Sequence, residues 1–456
     1  MLGGVDSSPD NRRGLEVARW TDSRGALKGT KGRGSLTLSL RDPLVTPRSS
    51  CLRRWLRLVL VTERGKAIFV AATKEHTGKT SVSMALIAGL VRRFGPTRVS
   101  YMKPVGQKHV LVTGKDGEDL KVDKDVAVAK EYFGLSAPYN AMSPLVLYKG
   151  YTKDFLDGKM EVREQKRVIQ DGFEELIRSN DFVVVEGTGH TGVGSVVGMN
   201  NADVAGLLGL DVLLVGNGGL GSTYDVMALN KTLCTAGGVR VRAVLLNKVK
   251  RGKEDMVREY IGKALRTNSW DAPVLGVVPW AESLDQPSIL DLEQMFGTTA
   301  LSGREHLLRR YSRFELVTTS LRQLLKKLGG GGISAKRTCF VTHATRSDII
   351  LGLLSHSQDT LDEKNNAKPF DAGLILTGTP PGHVPHSFVS EYIGRAAIPV
   401  LSVAMSTSEV MHKLEKFTSK MNVKDDLRTR NVIDHYEPEI DFDALLSCAS
   451  VPPRPG

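Results

Sequence analysis

The chain has 456 residues and a mass of 49.7 kDa, which is enough for two or three domains of ordinary size. Apolar residues make up 41% of it and charged residues 25%, a composition typical of a protein that buries hydrophobic cores. No run of about 18 or more apolar residues occurs, which excludes a membrane-spanning helix. The four cysteines are far apart and form no Cys-x-x-Cys pair, so the sequence indicates a reducing compartment rather than a disulfide framework or a zinc ribbon.

The net charge of +12 is concentrated at the N-terminus. Residues 1–66 carry 14 Lys and Arg against 6 Asp and Glu, whereas the rest of the chain carries 48 against 44. Because the body of the chain is nearly neutral, its charge does not indicate a nucleic-acid partner. The Arg- and Ser-rich extension has the composition of a mitochondrial or plastid transit peptide. The alternative is a disordered extension on a cytoplasmic protein, or a start codon placed too early.

A phosphate-binding turn is predicted between a strand and a helix. Residues 66–72 form an apolar run of strand length, and residues 82–93 carry the apolar stripe of a helix. The first glycine of the usual P-loop pattern is absent, but the rest of the motif is present. In such a turn, backbone N–H groups bind phosphate, the lysine adds positive charge and the following hydroxyl binds Mg²⁺. An ordinary turn that happens to contain Gly-Lys-Thr is the alternative. The motif residues are Thr77, Gly78, Lys79, Thr80 and Ser81.

Polar residues also follow later strands of the predicted sheet. The chain continues to alternate strands and helices, which predicts a parallel sheet covered by helices on both faces. Lys103, Glu186 and Asn247 each stand directly after a predicted strand, where ligands gather in such folds. A carboxylate there suits Mg²⁺, and an amide there suits a base edge. Because Lys250 replaces the acid of the guanine-binding Asn-Lys-x-Asp motif, adenine is favoured over guanine.

In the order of these motifs the sequence resembles dethiobiotin synthetase, which uses ATP and Mg²⁺ to close a ureido ring from CO2 and a diamine. The resemblance implies that Thr80, Asp125 and Glu186 share the Mg²⁺. It also implies that Lys79 and Lys103 bind the phosphates and a reacting carbamate. The matching segments are residues 77–80, 101–105, 123–126, 185–189 and 246–248.

Further roles come from resemblance alone. Asn247 corresponds to the residue that contacts adenine in dethiobiotin synthetase. Glu75 and Gln107, by contrast, stand where that family has small hydroxyl residues near its diamine, and this argues against biotin chemistry. Lys74 has the spacing of the lysine with which septum-site and partition ATPases reach across a homodimer to the partner's phosphates.

A wider resemblance, over about residues 67–446, is to the N-terminal part of long-form phosphotransacetylase. There a dethiobiotin-synthetase-like domain is followed by a so-called DRTGG domain. The acetyl-transferring domain comes next in that family, whereas this sequence stops at Gly456, so phosphate acetyltransferase activity is not expected from this chain alone. The P-loop is degraded in the usual phosphotransacetylases but keeps Gly78, Lys79 and Thr80 here, which favours nucleotide binding.

The second half is predicted to form a smaller α/β domain after a Gly-rich linker. Two loops at its strand ends are candidate ligand sites, and ordinary connecting loops are the alternative. Their candidate residues are Arg346, Asp348, Thr377 and Gly378. The predicted segments are an extension (1–66), a P-loop ATP-binding domain (67–300), a helical connection with the linker (301–336), a DRTGG-like domain (337–446) and a tail (447–456).

The sequence therefore predicts an α/β fold with a P-loop NTPase-type parallel sheet and a second α/β domain. The leading hypothesis is a slow ATPase that binds ATP and Mg²⁺ and is coupled to a domain that senses a small-molecule effector. Lys79, Lys103 and, in a homodimer, Lys74 are the expected catalytic residues. An ATP-dependent ligase acting on a small-molecule substrate and a partner-binding subunit that does not hydrolyse ATP are the alternatives. Neither nucleic acid nor a membrane is expected as a partner.

Overall fold

The computed structural model describes residues 64–114, 117–329, 336–359, 370–379 and 387–453. Most of the predicted N-terminal extension, residues 330–335 of the linker, residues 380–386 of the second candidate loop and the last three residues lie outside this range. Within it, every helix is too short or too polar to cross a membrane.

The first part of the described chain alternates strands and helices, as the sequence predicted. Its strands are β1 (Lys66–Ala72), β2 (Val99–Met102), β3 (Val105–Gly106), β4 (His109–Thr113), β5 (Asp119–Asp123), β6 (Leu145–Val146), β7 (Phe182–Glu186), β8 (Val212–Asn217), β9 (Val241–Val249) and β10 (Val274–Pro279). Its helices are α1 (Lys79–Phe94), α2 (Lys124–Phe133), α3 (Tyr139–Met142), α4 (Tyr151–Leu156), α5 (Val162–Ser179), α6 (Asn201–Leu207), α7 (Gly221–Ala236) and α8 (Glu254–Thr267).

Six of these strands form a parallel sheet in the order β10-β9-β8-β1-β7-β2. In the central strand β1 every residue after Lys66 is buried, as expected for a parallel strand covered on both faces. Helix α5 packs one face inward because its apolar residues recur at helical spacing; its buried apolar side chains are Ile169, Phe173, Leu176 and Ile177. This sheet confirms the predicted P-loop NTPase-type fold class.

A second sheet has five strands in the order β11-β15-β14-β13-β12, with β11 antiparallel to β15. Its strands are β11 (Ala300–Ser302), β12 (Arg313–Leu316), β13 (Thr338–His343), β14 (Gly373–Thr377) and β15 (Val400–Val403). The remaining helices of the described chain are α9 (Glu282–Asp285), α10 (Ile289–Phe296), α11 (Leu321–Gly329), α12 (Ser347–Asp359), α13 (Ser387–Gly394), α14 (Thr407–Glu415), α15 (Asp426–Tyr436) and α16 (Phe442–Cys448).

The second sheet corrects two of the predicted segments. Residues 301–336 were predicted as a helical connection with a Gly-rich linker, but β12 lies within that range and β11 overlaps its start, and both are strands of the second sheet. Residues 421–445 were assigned to the second domain, but their apolar side chains pack into the core of the first sheet. Ser450 also pairs with Ala67 of β1. Sequence periodicity predicts that a segment is helical, but it does not reveal which of two similar α/β cores the helix joins.

Phe442 of α16 shows how tightly this C-terminal segment is attached. The Phe442 ring lies directly against Gly89 of α1, so that a Cβ at Gly89 would come within 2.1 Å of it. The Arg93 guanidinium lies 4.3 Å from the centre of the same ring. Helix α1 therefore carries the P-loop at its first residue and contacts the C-terminal segment further along.

Candidate functional site

The predicted P-loop forms the turn between β1 and α1. Gly78 precedes the first residue of α1 and has φ +98°, a backbone conformation that favours glycine. The Thr77 side chain is fully buried, and its hydroxyl donates to the Lys74 carbonyl across 2.8 Å. The turn thus presents the N-terminal N–H groups of a 16-residue helix to the same cavity that Gly78, Lys79, Thr80 and Ser81 line.

Lys79 is held at this turn by the loop that follows β7. Its ammonium donates a hydrogen bond to the Gly189 carbonyl. Burial lowers the pKa of Lys79, and the neighbouring Glu186 carboxylate acts in the opposite direction. An anionic phosphate beside this lysine would supply the counter-charge that a buried ammonium requires.

The three residues predicted to share Mg²⁺ lie together. The Thr80 hydroxyl lies 2.8 Å from Glu186 Oε1 and 3.4 Å from Asp125 Oδ2. A hydroxyl and two carboxylates are the hard oxygen ligands that Mg²⁺ prefers, and phosphates and waters usually complete its coordination. In the described residues no group of three or more His, Cys, Asp or Glu side chains is arranged to hold a metal by itself. The arrangement therefore suits a metal ion that arrives with a phosphate.

Lys103 lies among three carboxylates. Its ammonium contacts Asp125, lies 3.2 Å from Asp123 Oδ1 and lies 3.8 Å from Glu186 Oε1. Burial opposes the positive charge of Lys103, but these carboxylates outweigh it and hold the pKa of Lys103 above its usual value. Burial likewise opposes the negative charge of Asp125, yet the Lys103 ammonium lowers the pKa of Asp125.

The Glu186 carboxylate is deeply buried. Its side chain is 1% exposed, and burial raises the pKa of Glu186. The Tyr101 hydroxyl donates to Glu186 Oε2 across 2.9 Å and so fixes the orientation of the carboxylate. A divalent cation near the Thr80 hydroxyl would stabilise the ionised form of Glu186.

Asn247 has contacts that sequence reasoning did not foresee. Its amide nitrogen donates to the Thr77 carbonyl across 2.7 Å, and its oxygen accepts from the Lys248 N–H across 2.8 Å. The side chain is fully buried, so it fastens the P-loop to the end of β9. A contact between Asn247 and adenine remains a prediction.

The C-terminal segment supplies part of the cavity, and sequence reasoning missed this. The cavity has a volume of about 290 Å³. Burial raises the pKa of Tyr436, on α15, and the neighbouring Asn247 and Ser81 side chains act in the opposite direction. No motif marks these positions, because the contact depends on how the chain returns to the first core. The lining residues that come from beyond the second sheet are Thr418, Ser419, Lys420, Met421, Arg428, Val432 and Tyr436.

The other predicted site residues lie away from this cavity. Lys74 is exposed and does not line it. At the carboxyl edge of the second sheet, the Arg346 guanidinium forms a two-point contact with Asp348, with both nitrogens 2.9 Å from its oxygens. The Thr377 hydroxyl lies 2.6 Å from that of Thr407. A Cβ at Gly378 would lie 2.3 Å from the His343 ring, so packing against that ring requires glycine there.

The cavity is also lined by Glu75 and Gln107, which are the two departures from the dethiobiotin synthetase pattern. The half-exposed Trp280 lines it too.

Comparisons with known proteins find relatives for much of the chain. A family described as an AAA domain matches residues 66–288. The ATP-dependent dethiobiotin synthetase of Anaeromyxobacter sp. (strain K) is 30% identical over 217 residues, which are 47% of this chain and 90% of that protein. The phosphate acetyltransferase of Pseudomonas aeruginosa is 26% identical over 402 residues, 84% of this chain and 52% of that protein.

A second phosphate acetyltransferase, from Nitratidesulfovibrio vulgaris, is 24% identical over 83% of this chain and 51% of its own length. The chain thus spans about half the length of these acetyltransferases. Among solved structures, a ParA family ATPase from Chlorobium tepidum TLS is 12% identical with a TM-score of 0.30, over 49% of this chain and 87% of that one.

Proposed function

The chain belongs to the dethiobiotin synthetase family of P-loop proteins, and we propose that it binds ATP with Mg²⁺ in the cavity at the P-loop. The observation that carries this proposal is the contact between the Thr80 hydroxyl and Glu186 Oε1 at 2.8 Å, with Asp125 Oδ2 at 3.4 Å. A P-loop hydroxyl beside two carboxylates is what a Mg²⁺-bound triphosphate needs.

The residues present fit the metal ion. When bound, Mg²⁺ would supply positive charge that offsets the negative charge of the phosphate groups. Thr80, Asp125 and Glu186 would hold it, while Lys79 and the α1 N-terminus bind the phosphate oxygens. Lys103 supplies a second, buried positive charge that stabilises charge developing on a transferred phosphoryl group.

We propose slow ATP hydrolysis, coupled to the second sheet, as the activity. Arg428 supports the coupling because it lines the cavity and pairs with Asp291 of α10, a helix whose side chains pack into the core under the second sheet. Binding of an effector at the second sheet would then alter the nucleotide site through α15, the helix that carries Arg428. The same proposal includes a DRTGG-like character for that sheet and a homodimer in which the exposed Lys74 reaches the phosphates bound by the partner.

The second candidate function is an ATP-dependent ligase that activates a carboxylate or a carbamate. Lys103 supports this candidate, because its buried ammonium among Asp123, Asp125 and Glu186 would be available to orient a second reactant beside a bound triphosphate. Glu75 and Gln107 at the cavity make a diamine of the biotin pathway a poor choice of reactant.

The test is an ADP-release assay on the full chain with Mg²⁺ and ATP, alone and with a panel of diamines, carboxylic acids, acetyl phosphate and CoA. Slow basal turnover that a panel member modulates without being consumed supports the coupled ATPase. Consumption of a panel member in step with ADP release supports the ligase. If ATP binds but no ADP forms under any condition, the chain is a non-hydrolysing subunit and both activities are wrong.

A further inference from the structure

Three lysines from separate parts of the chain meet at one side of the cavity. Lys108 precedes β4, Lys124 begins α2 and Lys420 belongs to the C-terminal segment, and all three line the cavity. The Lys124 backbone N–H donates to the Lys108 carbonyl across 2.9 Å, which holds these two residues next to each other. The Lys124 ammonium lies 3.4 Å from the carbonyl of Met421, which follows Lys420.

This cluster adjoins the proposed phosphate site. Lys124 Nζ lies 3.8 Å from Asp125 Oδ1, and Asp125 also contacts the Lys103 ammonium. The Asp125 carboxylate therefore lies between Lys103 of the proposed phosphate site and Lys124 of the cluster, and it contacts Lys103 more closely. In the described chain neither Lys108 nor Lys420 forms an ion pair with an acidic side chain.

The concentration of positive charge is unfavourable without a counter-ion. Burial, together with the Lys108 and Lys124 ammonium groups, lowers the pKa of Lys420 to about 8. An anion among the three side chains would remove this repulsion and satisfy their N–H donors.

We propose that Lys108, Lys124 and Lys420 form a second anion subsite, which receives the carboxylate or phosphate group of a small metabolite next to the ATP γ-phosphate. The inference deepens the proposed function, because it gives the chemical class of the effector or second substrate.

Isothermal titration of the full chain tests this subsite, with inorganic phosphate and acetate as separate probes. ATP and Mg²⁺ are added first to saturation, so that the P-loop is filled, and saturation is verified for each variant. The variants are Lys420→Met, which keeps the apolar stem, Lys420→Arg, which keeps the charge, and Lys121→Met, an exposed lysine on β5 that is outside the cavity.

Wild-type protein is expected to bind at least one probe, and the stronger of the two identifies a phosphate or a carboxylate as the natural group. Lys420→Met should weaken that binding about tenfold, the equivalent of one charge-assisted hydrogen bond, while Lys420→Arg and Lys121→Met bind normally. Equal binding by wild type and Lys420→Met, or no binding of either probe, would overturn the subsite.

Failure of the proposed function would look different. If wild-type protein did not bind ATP, the same titrations would be run on Lys79→Ala, in which the P-loop lacks its phosphate-binding lysine. Probe binding that still depended on Lys420 would support the subsite without ATP, and probe binding independent of Lys420 would contradict it.

Discussion

The Arg428 guanidinium donates to the Asp291 carboxylate across 2.6 Å, and this ion pair joins α15 to α10 in the interior of the protein. The Arg428 side chain is 2% exposed, and it also lies 3.2 Å from Asp425. Because a buried charge that loses its partner is not compensated by water, Asp291→Ala should lower the free energy of unfolding by about 3–5 kcal/mol. Urea denaturation measures this change.

The exposed pair Arg346–Asp348 provides the matched control, since its nitrogen–oxygen distance is 2.9 Å but both side chains are accessible to water. Asp348→Ala should cost less than about 1 kcal/mol. Similar losses in the two variants would show that the Arg428–Asp291 pair does not contribute more than a surface ion pair.

Gly78 is predicted to be required for the shape of the P-loop. Its φ is +98°, and a Cβ there would lie 2.2 Å from the Asn247 amide nitrogen. Gly78→Ala should therefore displace Asn247 and remove ATP binding, with a loss of stability above the roughly 1–2 kcal/mol of left-handed backbone strain. Gly134→Ala is the control, because Gly134 has φ +62° but no atom within 4 Å of an added Cβ. Normal ATP binding by Gly78→Ala, measured by titration, would argue against the Asn247 contact.

The contact between Gly89 and Phe442 predicts a compensating pair of substitutions. Gly89→Ala should force the Phe442 ring out of its position and destabilise the chain by about 1–3 kcal/mol. Adding Phe442→Leu should recover part of that loss, because the smaller side chain leaves room for the new methyl group. Limited proteolysis within residues 437–453 measures release of the C-terminal segment. If the double variant were no more stable than Gly89→Ala, this packing would be contradicted.

Lys74 is predicted to act on hydrolysis and not on nucleotide binding. Its side chain is exposed and outside the cavity, so Lys74→Ala should bind ATP with unchanged affinity. If Lys74 acts across a homodimer, this variant should lose most of its ADP release. Mixing it with Lys79→Ala, which keeps Lys74, should restore some activity, because a mixed dimer has one site with both Lys79 and the partner's lysine. Full ADP release by Lys74→Ala alone would rule out the role.

The local part of the site was predictable from the sequence. Thr80 and Lys79 follow a strand and begin a helix, and the ends of parallel strands meet at one sheet edge, so Lys103 and Glu186 were expected beside them. Their contacts in the structure agree with that expectation. The two-sheet α/β architecture followed in the same way from the alternation of strands and helices.

The remainder depends on contacts between residues far apart in the chain. Tyr436 and Lys420 lie in the range 337–446 that the sequence analysis assigned to the second domain, yet they line the cavity beside the first sheet. Asn247 was predicted from its strand end and from the resemblance to dethiobiotin synthetase, but its buried contact with the Thr77 carbonyl depends on how closely β9 approaches the P-loop. Short strands such as β11 give too little alternation to be recognised in the sequence.

The central claim is that Lys79 and the carboxylate-flanked Thr80 bind the phosphates of Mg²⁺-bound ATP, and calorimetric titration of ATP into the full chain tests it most directly. Wild-type protein with Mg²⁺ should bind ATP in the micromolar range, about −8 kcal/mol. Lys79→Ala should abolish binding and Glu186→Gln should remove its dependence on Mg²⁺, while the exposed control Lys121→Ala should behave as wild type. Unchanged ATP affinity in Lys79→Ala would contradict the account.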